Sequence, residues 1–339
     1  MSNSRDDQSS EPPVGYVQAR QKAAVFDVSA RTRLVMTGAD RRNFLHNFCT
    51  NDVRGLADGA SCEAFLLNVK GRILGHLFVS AEEDGRLWIG SVSGQAAPIS
   101  EHLAKYHLLE DFQLSDCSVE NCEFLVTGPA AAELLCEAGI DVTGLAVFQN
   151  RRLTLSAVEP ASDVFVQRFD LLGPPGFLLT TTVSGTALAG RLESAGLAAG
   201  APAAFESLRI EAGFPVYGMD LSVDNLAQEA CRTDRAISFT KGCYLGQEPV
   251  ARIHALGHVN RELRVLEIRG EETPAVGTAL LRPDNVEKEI GQLSSVSWSW
   301  QRGCAVGIAL VRSQFASPGT ELPIGGASSK AVVVETSGS

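Results

Sequence analysis

RLVMTGADRRNFLHNFCTND, residues 33–52, sets a strand, a turn and a helix end to end. The apolar run closes at Gly38, and Asp40 stands where it can cap a helix carrying Phe44, Leu45 and Phe48 on one face. The chain then changes period. CEAFLLNV (62–69), a turn at Lys70-Gly71-Arg72 and ILGHLFVS (73–80) read as a β-hairpin, and GRLWIGSV adds a third strand after the Asp84-Gly85 turn.

Working outward, a helix is expected over 97–106, strands near 112–114 and 124–126, and a helix in PAAAELLCEAG that Gly139 terminates. VFVQRFDLLGPPGFLLTTT (164–182) reads as two strands around a Gly-Pro-Pro-Gly turn, and SGTALAGRLESAGLAAG (184–200) as a helix. Strands and helices alternate without the strand-then-helix rhythm of a doubly wound sheet, so the fold class is α+β. From about Asn260 the chain turns strand-like and rich in Gly, Pro and Ser, as a small β-barrel or sandwich would be. No internal repeat is evident in the residues.

The 339 residues exceed what one core usually supports, so two or three domains are expected. A formal net charge of -11 argues against broad binding to nucleic acid or anionic lipid. No apolar run approaches a membrane span of roughly 20 residues, and residues 1–15 read as a disordered tail without a secretory signal. The eight cysteines include no C-x-x-C pair, and most lie in apolar segments; they read as reduced thiols in the cytoplasm. The six histidines lack H-x-x-x-H and H-E-x-x-H spacing, so no metal site is expected.

Three segments carry candidate chemistry. In APAAFESLRIEAGFPVYGMDL (201–221), Pro202 suits a first helical turn and Gly213 with Pro215 ends the helix, which leaves Glu211 in its last turn. A carboxylate there faces the negative end of the helix dipole at a cost of roughly 0.3–1 kcal/mol. It is either a ligand-facing acid or a solvated Glu neutralised by Arg209, and spacing favours the second. RIHALGHVNRELR gathers Arg252, His254, His258, Arg261 and Arg264, which form either a cationic wall for carboxylates or phosphates or an ordinary solvated face. KGCYLGQEPVAR (241–252) puts Cys243 between glycines and near Lys241, which could lower the thiol pKa; the bland alternative is a tight turn.

Five stretches in order, AAVFDVSARTRLVMTGADRRNFLHNFCTNDVRGL, FLLNVKGRILGHLFV, FLVTGPAAAELL, LRIEAGFPVYGMDL and KGCYLGQEPVARIHALGHVNREL, resemble the glycine cleavage T-protein superfamily. The last, with its K-G-C-Y-x-G-Q-E core, is similar to the YgfZ-type folate-binding branch. The resemblance implies a three-domain ring around a central funnel that holds tetrahydrofolate. Its parts would be 16–50 with 120–204, a ferredoxin-like subdomain of 51–119 with 205–259, and a C-terminal β-barrel over 260–339. Under it Glu211 becomes the acid that hydrogen-bonds the pterin, reversing the reading from spacing. Arg252 and Arg261 would meet the folate tail, and Asn68, Tyr244, Gln247 and Glu248 would shape the pocket. Cys243, activated by Lys241, would be the reactive thiol.

Where true aminomethyltransferases carry paired aspartates, this chain has Gly75 and His76. Histidine cannot supply the same fixed negative charge, although its free pKa near 6.5 would let it act as a base. The resemblance therefore implies a folate-binding accessory protein for iron–sulfur protein assembly or repair and linked tRNA modification, with iron–sulfur proteins or their assembly machinery as partners. The alternative is a folate-dependent aminomethyltransferase or related one-carbon transferase.

Overall fold

Thr37-Gly38 and Thr127-Gly128 begin the same turn in two halves of the chain. The amide of Asp40 donates to the Asp111 carbonyl at 2.9 Å, and that of Ala130 to the Lys22 carbonyl at 2.8 Å. Both glycines have positive φ (99° and 139°), and a Cβ on either would fall within 2.5 Å of those same acceptor carbonyls. No other residue fits. Described here, in a computed structural model, are residues 11–155, 162–182, 185–270, 272–326 and 329–335.

The chain opens with α1 (Tyr16–Gln21) and β1 (Ala24–Asp27). A first unit follows: β2 (Thr32–Thr37), α2 (Arg41–His46), β3 (Ser61–Leu67), β4 (Ile73–Ala81), β5 (Leu87–Ser91), α3 (Ala96–Ala104) and β6 (Gln113–Asp116). Its sheet runs β3-β4-β5-β2-β6. With β3 set aside as an added edge strand, this is the ferredoxin-like order. A second unit repeats the succession of elements, with β1 and not its own last strand beside its first: β7 (Cys122–Thr127), α4 (Ala131–Glu137), β8 (Asn150–Leu155), β9 (Ser162–Arg168), β10 (Gly176–Thr181), α5 (Gly185–Ser194) and β11 (Ala198–Ala199). Its order is β11-β1-β7-β10-β9-β8, with β1 antiparallel to β7 as β6 is to β2. The halves are therefore a structural repeat, which the residues conceal apart from the shared Thr-Gly turns.

Next come α6 (Pro202–Glu211), a 3-10 turn (Ala227–Ala230), α7 (Thr233–Ala236) and α8 (Gln247–Leu256). The remainder is β12 (Arg261–Arg269), β13 (Ala279–Arg282), β14 (Asn285–Ser299), β15 (Cys304–Arg312), β16 (Glu321–Pro323) and β17 (Lys330–Val333), ordered β13-β14-β15-β12-β17-β16. The Leu280–Ile324 bridge and the Gly325 amide on the Ala279 carbonyl at 2.9 Å bring the edge strands together. The result is a nearly closed barrel.

Several expectations are corrected. Residues 32–50 travel with 51–119, because β2 pairs with β5 and β6 and not with the second sheet. Asp40 precedes α2 without capping it; its carboxylate instead accepts the Asp111 amide at 2.9 Å. Residues 1–10 of the expected tail lie outside the described residues, but Pro13 and Val14 already accept hydrogen bonds from Tyr16 and Ala201. RIHALGHVNRELR is not one face: α8 runs through Leu256, Gly257 caps it, and β12 starts at Arg261.

Arg209 does not neutralise Glu211. It is 0% exposed and pairs with Asp220 at 2.7 Å and with Glu206, while its Nη2 donates to Ser295 Oγ at 2.7 Å. Through their hydrogen bonds with Ser294 and Ser295, Arg209 and Asp220 fasten α6 to β14. Phe65, Leu67 and Ile73 of the first unit share a core with Ile210, Tyr244 and Val250 and with Val265 and Ile308 of the barrel. The first unit, the α6–α8 segment and the barrel are thus joined through one apolar cluster, and a cleft opens beside it.

Candidate functional site

The cleft, about 780 Å³ counting its open mouth, lies where the parts meet. Asp170 and Gly173 come from the second unit, Gly213 follows α6, Cys231, Arg232 and Arg235 bracket the start of α7, and Arg264 and Ile308 belong to the barrel. The charge of the cleft is not that of the protein at large, because three guanidiniums face one carboxylate, Asp170.

Two of the three guanidiniums are engaged. Arg264 donates to Cys231 Sγ at 3.0 Å, to the Ala316 carbonyl at 2.9 Å and to Glu262. Arg232 holds Glu63 from two nitrogens, Nε and Nη2, the latter at 2.6 Å from Oε2. Arg235 has no hydrogen-bond or ion-pair partner for its guanidinium among the described residues. It is the cation left for a ligand.

Behind Arg232 stands a group that the residues did not announce. Glu63 on β3 and His76 on β4 are each 1% exposed, with His76 Nε2 2.7 Å from Glu63 Oε1. Burial by itself would push the Glu63 pKa up, but Arg232 and His76 outweigh it and hold the carboxyl at about 2. An ionised carboxylate only accepts, so His76 Nε2 carries the hydrogen. Burial drives the His76 pKa below its ordinary value against the pull of Glu63. The ring lies among Phe65, Phe78 and Phe214, at centroid distances of 5.0, 5.0 and 5.8 Å. His76 is thus neutral, buried and screened from the cleft by Arg232. At Gly75, a side chain would point at Leu77 and Ile99. Glu63 sits inside the apolar run CEAFLL, so its sequence context alone does not mark it.

The expected site residues are not brought together in this cleft. Glu211 is 5% exposed and turned away, its carboxylate taken by the Tyr16 hydroxyl and by Arg20 at 2.9 Å. Those partners offset its place at the end of α6. Tyr16 in turn accepts the Gln301 amide at 3.0 Å and packs edge-on to Trp300, so α1 bridges α6 and the barrel.

Lys241 makes no hydrogen bond to Cys243. Its Nζ donates to the carbonyls of His46, Cys49 and Asn51 at 2.5, 2.7 and 2.8 Å and lies over the Tyr244 ring, which uses all three of its hydrogens. Tyr244 is buried in the apolar cluster beneath the loop, and that burial pushes its phenol up to about 12. Cys243 itself is exposed. Asn68 shapes the hairpin turn, its Oδ1 accepting the amides of Lys70 and Arg72 at 2.9 and 3.1 Å. Gln247 and Glu248 open α8, and Arg252 is exposed on that helix, outside the cleft lining. Arg261 pairs with Glu229 at 3.2 Å beside a separate groove that also holds Arg72 and Arg312. Among the described residues no group of three or more His, Cys, Asp or Glu is placed to hold a metal ion, and no helix is long and apolar enough to cross a membrane.

Comparison with known proteins places this geometry in context. The sequence profile of the GCVT N-terminal domain matches residues 15–241, and that of the glycine cleavage T-protein C-terminal barrel domain matches residues 261–337. An aminomethyltransferase of Lysinibacillus sphaericus is 28% identical over 330 residues, covering 94% of this chain and 86% of its own. A chloroplast protein of Arabidopsis thaliana, named provisionally as a transferase, is 24% identical and covers 89% of this chain and 68% of its own. The crystal structure of glycine cleavage system aminomethyltransferase T from Bartonella henselae matches with a TM-score of 0.83 at 22% identity, over 95% of this chain and 88% of that one. That likeness establishes the fold.

Proposed function

Because this chain belongs to the glycine cleavage T-protein family, we propose that it binds tetrahydrofolate in the central cleft without performing aminomethyl transfer. The observation that carries this reading is the buried His76–Glu63–Arg232 group at the position where the resemblance expects paired aspartates. Bound tetrahydrofolate supplies nitrogen atoms able to accept or carry a one-carbon unit. The donor set fits its anionic tail: the Arg235 guanidinium has no partner among the described residues and lines the cleft, as does Arg232. Asp170 is the carboxylate of the cleft lining that a donor-rich pterin would meet, its Oδ1 already accepting the Gly176 amide at 2.9 Å and Arg168 Nε at 3.4 Å, whereas Glu211 lies outside the lining on Tyr16 and Arg20.

What the chain lacks is charge at the reacting end. A neutral imidazole whose hydrogen is fixed on Glu63 stabilises developing positive charge poorly, and Arg232 beside it would oppose that charge. The names of the relatives favour aminomethyl transfer as the second reading. Ammonia release from an aminomethylated lipoyl carrier protein, measured with tetrahydrofolate, separates the two. No turnover above background is expected, and robust turnover would overturn the proposal.

The finer proposal is a YgfZ-type accessory role in iron–sulfur protein assembly or repair in the cytoplasm, and through it in tRNA modification. It is supported by the K-G-C-Y-x-G-Q-E run, which Lys241 holds to the first unit while leaving Cys243 at the surface. Iron–sulfur enzyme activities in cells lacking this protein should fall and be restored by the wild type. Restoration by Cys243→Ala would assign the thiol no part in that role.

A further inference from the structure

We infer that the cleft takes a ligand bearing two carboxylates together with a proton, which is received by His76 and coupled to the ligand through Arg232. The inference rests on the reading of the cleft as the folate site and specifies how that site responds to charge.

Arg232 has two sides. Nε and Nη2 are on Glu63, while the side chain, 11% exposed, lines the cleft and lies over Phe214 at 5.2 Å. Nη1 has no hydrogen-bond partner among the described residues. In the ligand-free protein the charges of Glu63 and Arg232 cancel and His76 is neutral. A first carboxylate is matched by Arg235. A second one, reaching Arg232 Nη1, leaves the Glu63–Arg232–His76 group with an unmatched negative charge, and its aromatic surroundings keep out the water that would screen it.

The other charged groups nearby cannot correct the imbalance. Arg31, the remaining cation acting on His76, is held by Glu123 at 2.9 Å. Arg264 is held by Glu262, and Asp170 is itself paired with Arg168 at 3.4 Å. The ring beside Glu63 can correct it, because a neighbouring negative charge favours imidazolium. Affinity therefore rises as pH falls, since the protonated protein is the tighter binder, by up to roughly tenfold per pH unit for a single coupled proton.

The test is titration calorimetry with tetrahydrofolate between pH 6 and 8, in two buffers of different ionisation enthalpy, on the wild type and on His76→Gln. The wild type should take up more protons than the variant, and the difference cancels the ligand's own titration. Equal proton counts would overturn the inference while leaving the folate reading intact, whereas absence of binding by the wild type at every pH would overturn both. Should His76→Gln not fold, the His76 ring resonances of the wild type decide the matter: movement toward the protonated position on adding ligand at pH 6 supports the coupling, and no movement refutes it.

Discussion

His76 Nε2 lies 2.7 Å from Glu63 Oε1, and both side chains are 1% exposed. Two neighbouring strands thus bury an acid and a base against one arginine, and the fold depends on all three. Glu63→Gln keeps the shape but leaves the Arg232 charge without its counter-charge. Breaking a buried pair of this kind costs about 3–5 kcal/mol. Urea unfolding should show a loss of that order, while Glu63→Asp should recover part of it.

The same group sets an acid limit. A free glutamate protonates near 4.5 but Glu63 only near 2, so its contribution is complete above about 4.5 and is lost as pH falls toward 2. His76 acts in the same direction and begins earlier. Its folded pKa lies below the free value of 6.5, so on acidification the unfolded chain takes its proton first. Unfolding midpoints should decline from pH 7 downward in the wild type. In His76→Phe the decline should begin later, below about pH 5.

Lys241 offers a prediction of a different kind, because its ammonium joins the signature loop to residues 46–51 through three main-chain carbonyls. Lys241→Met orphans all three and should cost roughly 2–4 kcal/mol. If the lysine activated Cys243, alkylation of that thiol in the folded variant would also slow. The geometry predicts a rate within about twofold of wild type, since the Nζ hydrogens are spent elsewhere. Iodoacetamide labelling read by mass spectrometry should modify Cys243 early and Cys49 and Cys62 last, as burial raises the pKa of both buried thiols.

The hairpin, the helix ending at Glu211 and the all-strand C-terminus were legible because each follows a simple apolar period or a Gly/Pro stop. The repeat was not, since a ferredoxin-like unit is defined by which strands pair, and β1 reaches the second sheet from far along the chain. The site was legible only as a family pattern. Glu211, Lys241 and Arg261 stand out in the sequence, but their partners Arg20, the carbonyls of 46–51 and Glu229 come from distant segments that spacing cannot supply. Arg235 and Glu63 were missed for the converse reason: what distinguishes them is a missing partner and a buried one, and neither is a property of sequence.

The repeated turns can be tested at equivalent positions. Gly38→Ala and Gly128→Ala each force a Cβ onto a carbonyl oxygen at 2.3 and 2.5 Å, with positive φ in addition. Each should destabilise the protein by more than the ~1 kcal/mol of an ordinary Gly replacement. Similar losses in thermal unfolding are expected for the two variants. A neutral effect at either position would contradict the matched turns.

Ligand contacts provide the most direct separation of the sequence-based site from the structural one. The Arg235 guanidinium has no partner among the described residues and lines the cleft, whereas Arg252 is exposed on α8 outside it, and Glu211 is tied to Tyr16 and Arg20. A charge-assisted contact is worth about 1.5–3 kcal/mol, so Arg235→Ala should weaken tetrahydrofolate binding by roughly 10- to 100-fold. Arg252→Ala should leave the affinity within about twofold, as expected for a solvated side chain remote from the ligand. Glu211→Gln should lower stability by about 1–2 kcal/mol through the loss of its ion pair with Arg20, with little change in affinity once binding is measured well below the unfolding midpoint. A large loss of binding in Glu211→Gln, with Arg235→Ala unaffected, would return the pterin to the end of α6 and require Tyr16 and Arg20 to release the carboxylate when the ligand arrives.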